Sequence, residues 1–195
     1  MKTIVGLTGG YCSGKNQVAT ILAAHGYYCI DVDALGHQAL ELSKNVLAKT
    51  FGSQIFDEYG GIDRKALGAL VFSSKSLLEK HESIVHPTML SLLDAELEKS
   101  ERVCINAALL YKFPQLAKCT FIIEVTAPLE LRLERARIRD GANAETAIAR
   151  IANQEYLWKL RPVVHPPVFF ISNEGCIKDL EASLARIPSL LPSET

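Results

Sequence analysis

Short, nearly uninterrupted apolar runs recur along the chain, separated by longer stretches in which apolar residues return every three or four positions. The short runs are "TIVGLT" (3–8), "YYCID" (27–31), "RVCIN" (102–106), "FIIEV" (121–125) and "VFFIS" (168–172). They are rich in β-branched and aromatic residues and lack strict alternation, as expected of strands covered on both faces. The stretches between them, such as "QVATILAAHG", "APLELRLERARIRD" and "AETAIARIANQEYLWKL", carry helical periodicity. Strand and helix alternate, which predicts an α/β fold with a five-stranded parallel sheet between helical layers.

One connection is too long for a simple crossover. About seventy residues with three or more helical patterns separate Asp31 from Arg102. They are expected to form a helical insertion that walls one side of a substrate cleft; helices that merely cover the sheet are the alternative. There is no internal repeat or low-complexity tract, and the tail "PSLLPSET" is expected to fray.

Composition narrows the class. The 195 residues are 48% hydrophobic and 22% charged with a formal net charge of -1, an ordinary globular balance. Nothing in it points to nucleic acid or an anionic membrane as partner, and oligomeric state stays open. No leader precedes "MKTIVGLT" and no apolar run approaches a membrane span, so a cytoplasmic protein is expected. The cysteines (Cys12, Cys29, Cys104, Cys119, Cys176) form no C-x-x-C pair. That argues for reduced thiols and against zinc.

Chemistry enters at "GGYCSGKN" (9–16). Gly9, Gly14 and Lys15 keep the spacing of a phosphate-binding loop, G-x-x-x-x-G-K-[ST], and the loop sits between a strand and a helix, where backbone N–H groups converge on phosphate. Lys15 adds a positive charge for the β/γ-phosphates. Asn16, however, stands where a Ser or Thr hydroxyl normally holds magnesium. Its side-chain carbonyl is still a hard oxygen ligand. Cys12, among the N–H groups and near Lys15, is expected to be an exposed, reactive thiol.

Two further clusters fit phosphoryl transfer. Asp31 and Asp33, two apart at the end of the second strand, would share a face beyond the sheet's carboxyl edge. Acids there can hold magnesium and accept a proton from an attacking hydroxyl, although Asp33 also suits a helix cap. Arg132, Arg135 and Arg139 fall on one helix face, as a lid that stabilises transferring phosphate requires; Glu130 and Glu134 offer the alternative of a solvated face. His86-Pro87, inside the insertion, does not by itself indicate a ligand.

From residue 3 to about 185, the ordered set of segments resembles the dephospho-CoA kinases, which phosphorylate the ribose 3'-hydroxyl of dephospho-CoA. The matching segments are "IVGLTGGYCSGKNQVA" with Thr8, "IDVDALGH", "IDRKALGALVF" with Arg64, "IVHP" with His86, "RLERARIRDGANAETAIARIANQ" ending in Gln154, and "FISNEG" with Asn173. The resemblance implies a P-loop kinase domain over residues 1–190. Its core would be 1–33, 100–128 and 165–190, its CoA-binding insertion about 34–99, and its lid about 129–160. It implies ATP and magnesium, with catalysis by Asp33, Lys15 and Arg139. Nucleotide contacts would come from Thr8, Gly9, Gly10, Tyr11, Cys12, Ser13, Gly14, Lys15, Asn16, Arg135, Arg139 and Asn173. Substrate contacts would come from Asp33, Arg64, His86 and Gln154, and metal contacts from Asn16, Asp31 and Asp33.

The chain departs from that family at Asn16, at Asn106 (where an acid is frequent), at Ala108 and Lys112 in "ALLYK", and at Pro166-Pro167. The alternatives are therefore a catalytically lapsed nucleotide- or CoA-binding protein, or a kinase for another small hydroxyl acceptor. A GTPase is disfavoured, since no N-K-x-D-type segment occurs.

Overall fold

A computed structural model describes residues 2–188, 190 and 191. In chain order the elements are β1 (Thr3–Gly9), α1 (Lys15–Ala24), β2 (Tyr28–Asp31), α2 (Val32–Leu42), α3 (Lys44–Phe51), α4 (Arg64–Val71) and α5 (Lys75–Leu97). Then follow β3 (Arg102–Asn106), β4 (Phe121–Thr126), α6 (Leu129–Asp140), α7 (Ala144–Ala152), β5 (Val168–Ser172) and α8 (Ile177–Ala185). The chain divides into two compact units, Met1–Ile30 with Glu98–Thr195, and Asp31–Leu97.

The first unit holds a five-stranded sheet in the order β2-β3-β1-β4-β5. β1 pairs in parallel with both β3 and β4, and β4 with β5. All five predicted strands are present within one residue of the apolar runs that predicted them. On one face Val5, Leu7, Cys104, Ile123 and Val125 pack against Val18 and Leu22 of α1 and Leu180 and Leu184 of α8. Burial pushes the thiol of Cys119, on the other face, up to about 12. The register sets Asn106 beside Leu7 and Val125 beside Gly9, so β3 and β4 both end next to the glycine loop.

The tail is a partial correction. Leu190 is fully buried, and its carbonyl accepts hydrogen bonds from Tyr27 Oη at 3.0 Å and Arg102 Nη2 at 2.9 Å. Backbone carbonyls buried at a chain end must be satisfied, and here two side chains satisfy one. The rest of the expected fraying, at residues 189 and 192–195, lies outside the described residues.

The second unit is helical, with α2 running along α5. Asp63 caps α4 by accepting from Lys65 N–H and Ala66 N–H at 2.9 and 3.0 Å. Leu35, Ala39, Leu67, Val85, Met89 and Leu93 are buried, as the helical spacing requires. Pro87 sits inside α5.

Gly6 in mid-β1 is glycine because of packing. A Cβ there would lie 2.8 Å from Leu110 Cδ2 and 3.1 Å from Cys119 Sγ, both buried. Gly6→Ala should overpack this layer and destabilise the chain by about 1–3 kcal/mol. The check is a lower denaturant midpoint at unchanged slope.

Candidate functional site

The loop between β1 and α1 takes its shape from two residues at positive φ, Cys12 (60°) and Gly14 (96°). At Gly14 the path admits no side chain: a Cβ would fall 1.8 Å from Asn173 Nδ2. Asn173 follows β5 and is aligned by its own N–H, which donates to Thr126 O at the end of β4 at 2.8 Å. Its side-chain amide donates to Ser13 O and Gln17 Oε1, both at 2.9 Å. Asn173 thus straps the loop to the helix that follows it.

The lid side of the loop is held by three more residues. Arg132 Nε donates to Tyr11 O at 2.8 Å. Arg135 donates to Ser13 O at 3.4 Å and to Asn173 O at 2.9 Å. Tyr11 N–H donates to Gln154 Oε1 at 2.7 Å. Burial pushes the guanidinium of Arg132 below its ordinary range. Arg132 and Arg135 bond to the loop and Arg139 lies against the Tyr11 ring, so the three share a face; Arg139 and Arg137 are both exposed.

The third arginine is bound differently. Arg139 forms a bidentate pair with Asp140 at 2.7 and 2.8 Å, and its guanidinium lies 5.2 Å from the Tyr11 ring centroid. Arg150 of α7 lies 5.3 Å from the same ring and donates to Tyr11 Oη at 2.7 Å and to Asp140 at 3.2 Å. Tyr11 Oη in turn donates to Asp140. The bond to Arg139 is the first cause that holds the Asp140 carboxyl far below its usual range. Side chains at this pair are partly or largely exposed, so water screens the pair.

Lys15, at the start of α1, donates to Asn106 Oδ1 at the end of β3. Asn106 Nδ2 donates to Asn16 Oδ1 at 3.2 Å, and Lys15 Nζ lies 3.4 Å from that same oxygen. Two positions that depart from the family pattern therefore bond to each other. Asn16 Oδ1 accepts two donors here and would have to exchange them to ligate a metal.

A cleft of about 240 Å³ opens beside the loop, lined in part by Gly10, Ser13, Glu124, Arg132, Trp158 and Arg161. Buried Glu124 takes a bidentate pair from Arg161 at 2.6 and 2.7 Å and a hydrogen bond from Tyr111 Oη at 2.7 Å. Burial, and then that bond, push the Tyr111 hydroxyl well above the ordinary phenol range. The Ser13 hydroxyl is buried and has no hydrogen-bond partner. An orphaned hydroxyl inside a loop of converging N–H groups suits a phosphate-bearing ligand. Glu124 and Arg161 were missed in the sequence. The available signal was one acid in an otherwise apolar strand, "FIIEV".

Two expectations need correction, the shared strand face of Asp31 and Asp33 and the exposure of Cys12. Asp31 and Asp33 do not share a strand face. Asp31 ends β2 and caps α2, its Oδ1 accepting from Asp33 N–H at 3.0 Å, and Asp33 lies in the first helical turn. Capping favours Asp at the residue before the helix, and α2 begins at Val32, two residues before a helix capped by Asp33 would. Gln154 and Asn173 spend their side chains on the loop itself. Arg64, in the second unit, meets His37 Nε2 at 3.0 Å. Thr8 is buried and donates to Ala108 O at 3.3 Å. Cys12 is buried against Ala136 and Ala147, because its positive φ turns the side chain under the lid.

The thiol order follows from that burial. A soluble thiol reagent should modify exposed Cys176 in the native chain well before Cys12. Peptide mapping of the labelled chain checks this, and equal labelling would contradict the burial of Cys12.

The family described as CoaE: Dephospho-CoA kinase matches residues 3–176. A protein of Treponema denticola named dephospho-CoA kinase is 38% identical over 165 residues, 78% of this chain and 74% of that one. A solved structure from Thermus thermophilus superposes with a TM-score of 0.81 at 33% identity, covering 96% of this chain and 99% of that chain. A shikimate kinase from Bacteroides thetaiotaomicron shares the fold at a TM-score of 0.57 and 14% identity, covering 97% and 98%. The braced glycine loop, the seated lysine and the arginine lid thus occur in a P-loop kinase fold, and the chain belongs to the dephospho-CoA kinase family.

Proposed function

We propose that this chain transfers the γ-phosphoryl group of ATP to the ribose 3'-hydroxyl of dephospho-CoA, with magnesium as the working metal. The observation that carries this reading is the convergence, in a member of this family, of Lys15 and three lid arginines on one glycine loop. A chain that only bound nucleotide would have less use for an intact lid, so the lapsed reading is not favoured.

Loop N–H groups and the N-terminus of α1 would hold the β- and γ-phosphates, with Lys15 as the point charge on them. Arg135 bonds to Ser13 O of the loop, and Arg139 would exchange Asp140 for the transferring group. Both stabilise charge that develops on the equatorial oxygens. Asp33 would take or orient the hydroxyl proton of the acceptor, while Arg64 and His86 would contribute to holding CoA. Magnesium, with Asn16, Asp31 and Asp33 proposed as its ligands, would supply positive charge to offset the polyphosphate.

The donors present fit that ion. Among the described residues no cluster of three His, Cys, Asp or Glu could hold a metal alone. Magnesium asks for less, one or two protein oxygens beside the phosphates. The resemblance assigns that part to Asn16, Asp31 and Asp33, and Asn16 Oδ1 would first have to release its two donors. The cysteines are free, and no described helix is long and apolar enough to cross a membrane. Free thiols accord with the reducing cytoplasm, which is the compartment proposed.

Purified chain, ATP, magnesium and dephospho-CoA, followed for CoA formation, test the reading directly; no CoA at any magnesium level would return the lapsed alternative. Two variants probe the roles. Asp33→Asn should lower kcat by about 10²-fold or more while ATP binding persists, the scale of a lost general base. Near-normal turnover would remove Asp33 from the mechanism. Arg139→Ala should cut kcat more than it raises KM for dephospho-CoA, whereas exposed Arg137→Ala should be tolerated. Equal losses at the two positions would contradict the face assignment.

A further inference from the structure

P-loop kinases generally pair a Ser or Thr hydroxyl after the lysine with an acid at a neighbouring strand end, and the two hold magnesium. Here both positions are asparagine, and they touch. The amide of Asn106 is fixed in direction at both ends. Its oxygen accepts from Lys15 Nζ, and its nitrogen donates to Asn16 Oδ1 at 3.2 Å. Flipping the amide would set N–H against ammonium and oxygen against oxygen, so the orientation follows from its partners. The register of β3 on β1 places Asn106 beside Leu7, two residues before the loop opens, which brings the amide within reach of Lys15. Asn106 is also 6% exposed, so exchanging its amide for a charged group acts in a poorly screened position.

We propose that Asn106 is a positioning residue for Lys15, and that the Asn16–Asn106 amide pair makes nucleotide binding only weakly dependent on a divalent cation. The inference rests on the loop being the nucleotide site. An aspartate at position 106 would add a negative charge beside the lysine that meets the β/γ-phosphates, and would oppose the polyphosphate unless a cation offset it. The neutral amide orients the same lysine without that repulsion. A metal-holding acid is thereby exchanged for a loop that accepts the free nucleotide tail. The change at position 16 belongs with it. The longer Asn16 side chain reaches the partner amide, forming a contact that keeps Asn106 turned toward Lys15.

Equilibrium binding of a non-hydrolysable ATP analogue tests this, measured by calorimetry in excess chelator and again in excess magnesium. The readout is the ratio of the two dissociation constants. The wild-type ratio should be small, and Asn106→Asp, nearly isosteric, should raise it by about tenfold or more through loss of metal-free affinity. Asn106→Ala adds no charge, so it should leave the ratio near the wild-type value while lowering kcat through the loosened Lys15. The double variant Asn16→Thr with Asn106→Asp should show the largest ratio. If Asn106→Asp leaves the ratio unchanged, or Asn106→Ala raises it as much as Asn106→Asp does, the inference fails while the nucleotide site stands. If the wild-type chain binds the analogue in neither condition, the nucleotide reading falls and takes this inference with it.

Discussion

The backbone between Gly9 and Lys15 passes through positive φ at Cys12 and again at Gly14, and the rest of the site is arranged to keep it there. Such a path turns N–H groups inward and exposes carbonyls on the other side, where they need partners. Asn173 and Arg135 meet Ser13 O, and Arg132 meets Tyr11 O. Those side chains come from the end of β5 and from α6, so strand order and lid position are coupled to the loop through hydrogen bonds. Charge-assisted bonds to partly buried carbonyls are among the stronger polar contacts a protein makes. The loop is therefore set before any phosphate arrives, which spares the ligand the cost of ordering it.

Much of this was legible in the sequence, for identifiable reasons. Apolar runs marked every strand, since a sheet covered on both faces tolerates few polar residues. The glycine-lysine spacing located the loop, and a three-four spacing of arginines gave the helix face that meets it. Contacts set by three-dimensional closure were not legible. Gln154 and Asn173 lie more than a hundred residues from the loop they hold, and an amide in sequence says nothing of its partner. Asp31 and Asp33 do not share a strand face because α2 starts at Val32, directly after β2 ends, and either acid suits a helix cap in sequence. Cys12 was misjudged because its position in the loop suggested exposure, while its φ directs the thiol inward.

Two of the polar clusters in the first unit have different tasks. Around Glu124, the Arg161 fork and the Tyr111 hydroxyl satisfy a carboxylate that is 3% exposed, beneath the edge of the cleft. A buried acid without such partners would be costly, so this set fixes the segment after the lid to β4. Around Tyr11, by contrast, Arg139, Arg150 and Asp140 form a more exposed set with weaker bonds.

The proposed acceptor is dephospho-CoA, while the fold alone is shared with a shikimate kinase. The most direct measurement is kcat/KM for dephospho-CoA against shikimate, at the same ATP and magnesium concentrations. The account predicts a preference for dephospho-CoA of about 10³-fold or more, as expected when a site built for one hydroxyl acceptor rejects another. Comparable turnover of both, or faster phosphorylation of shikimate, would contradict it.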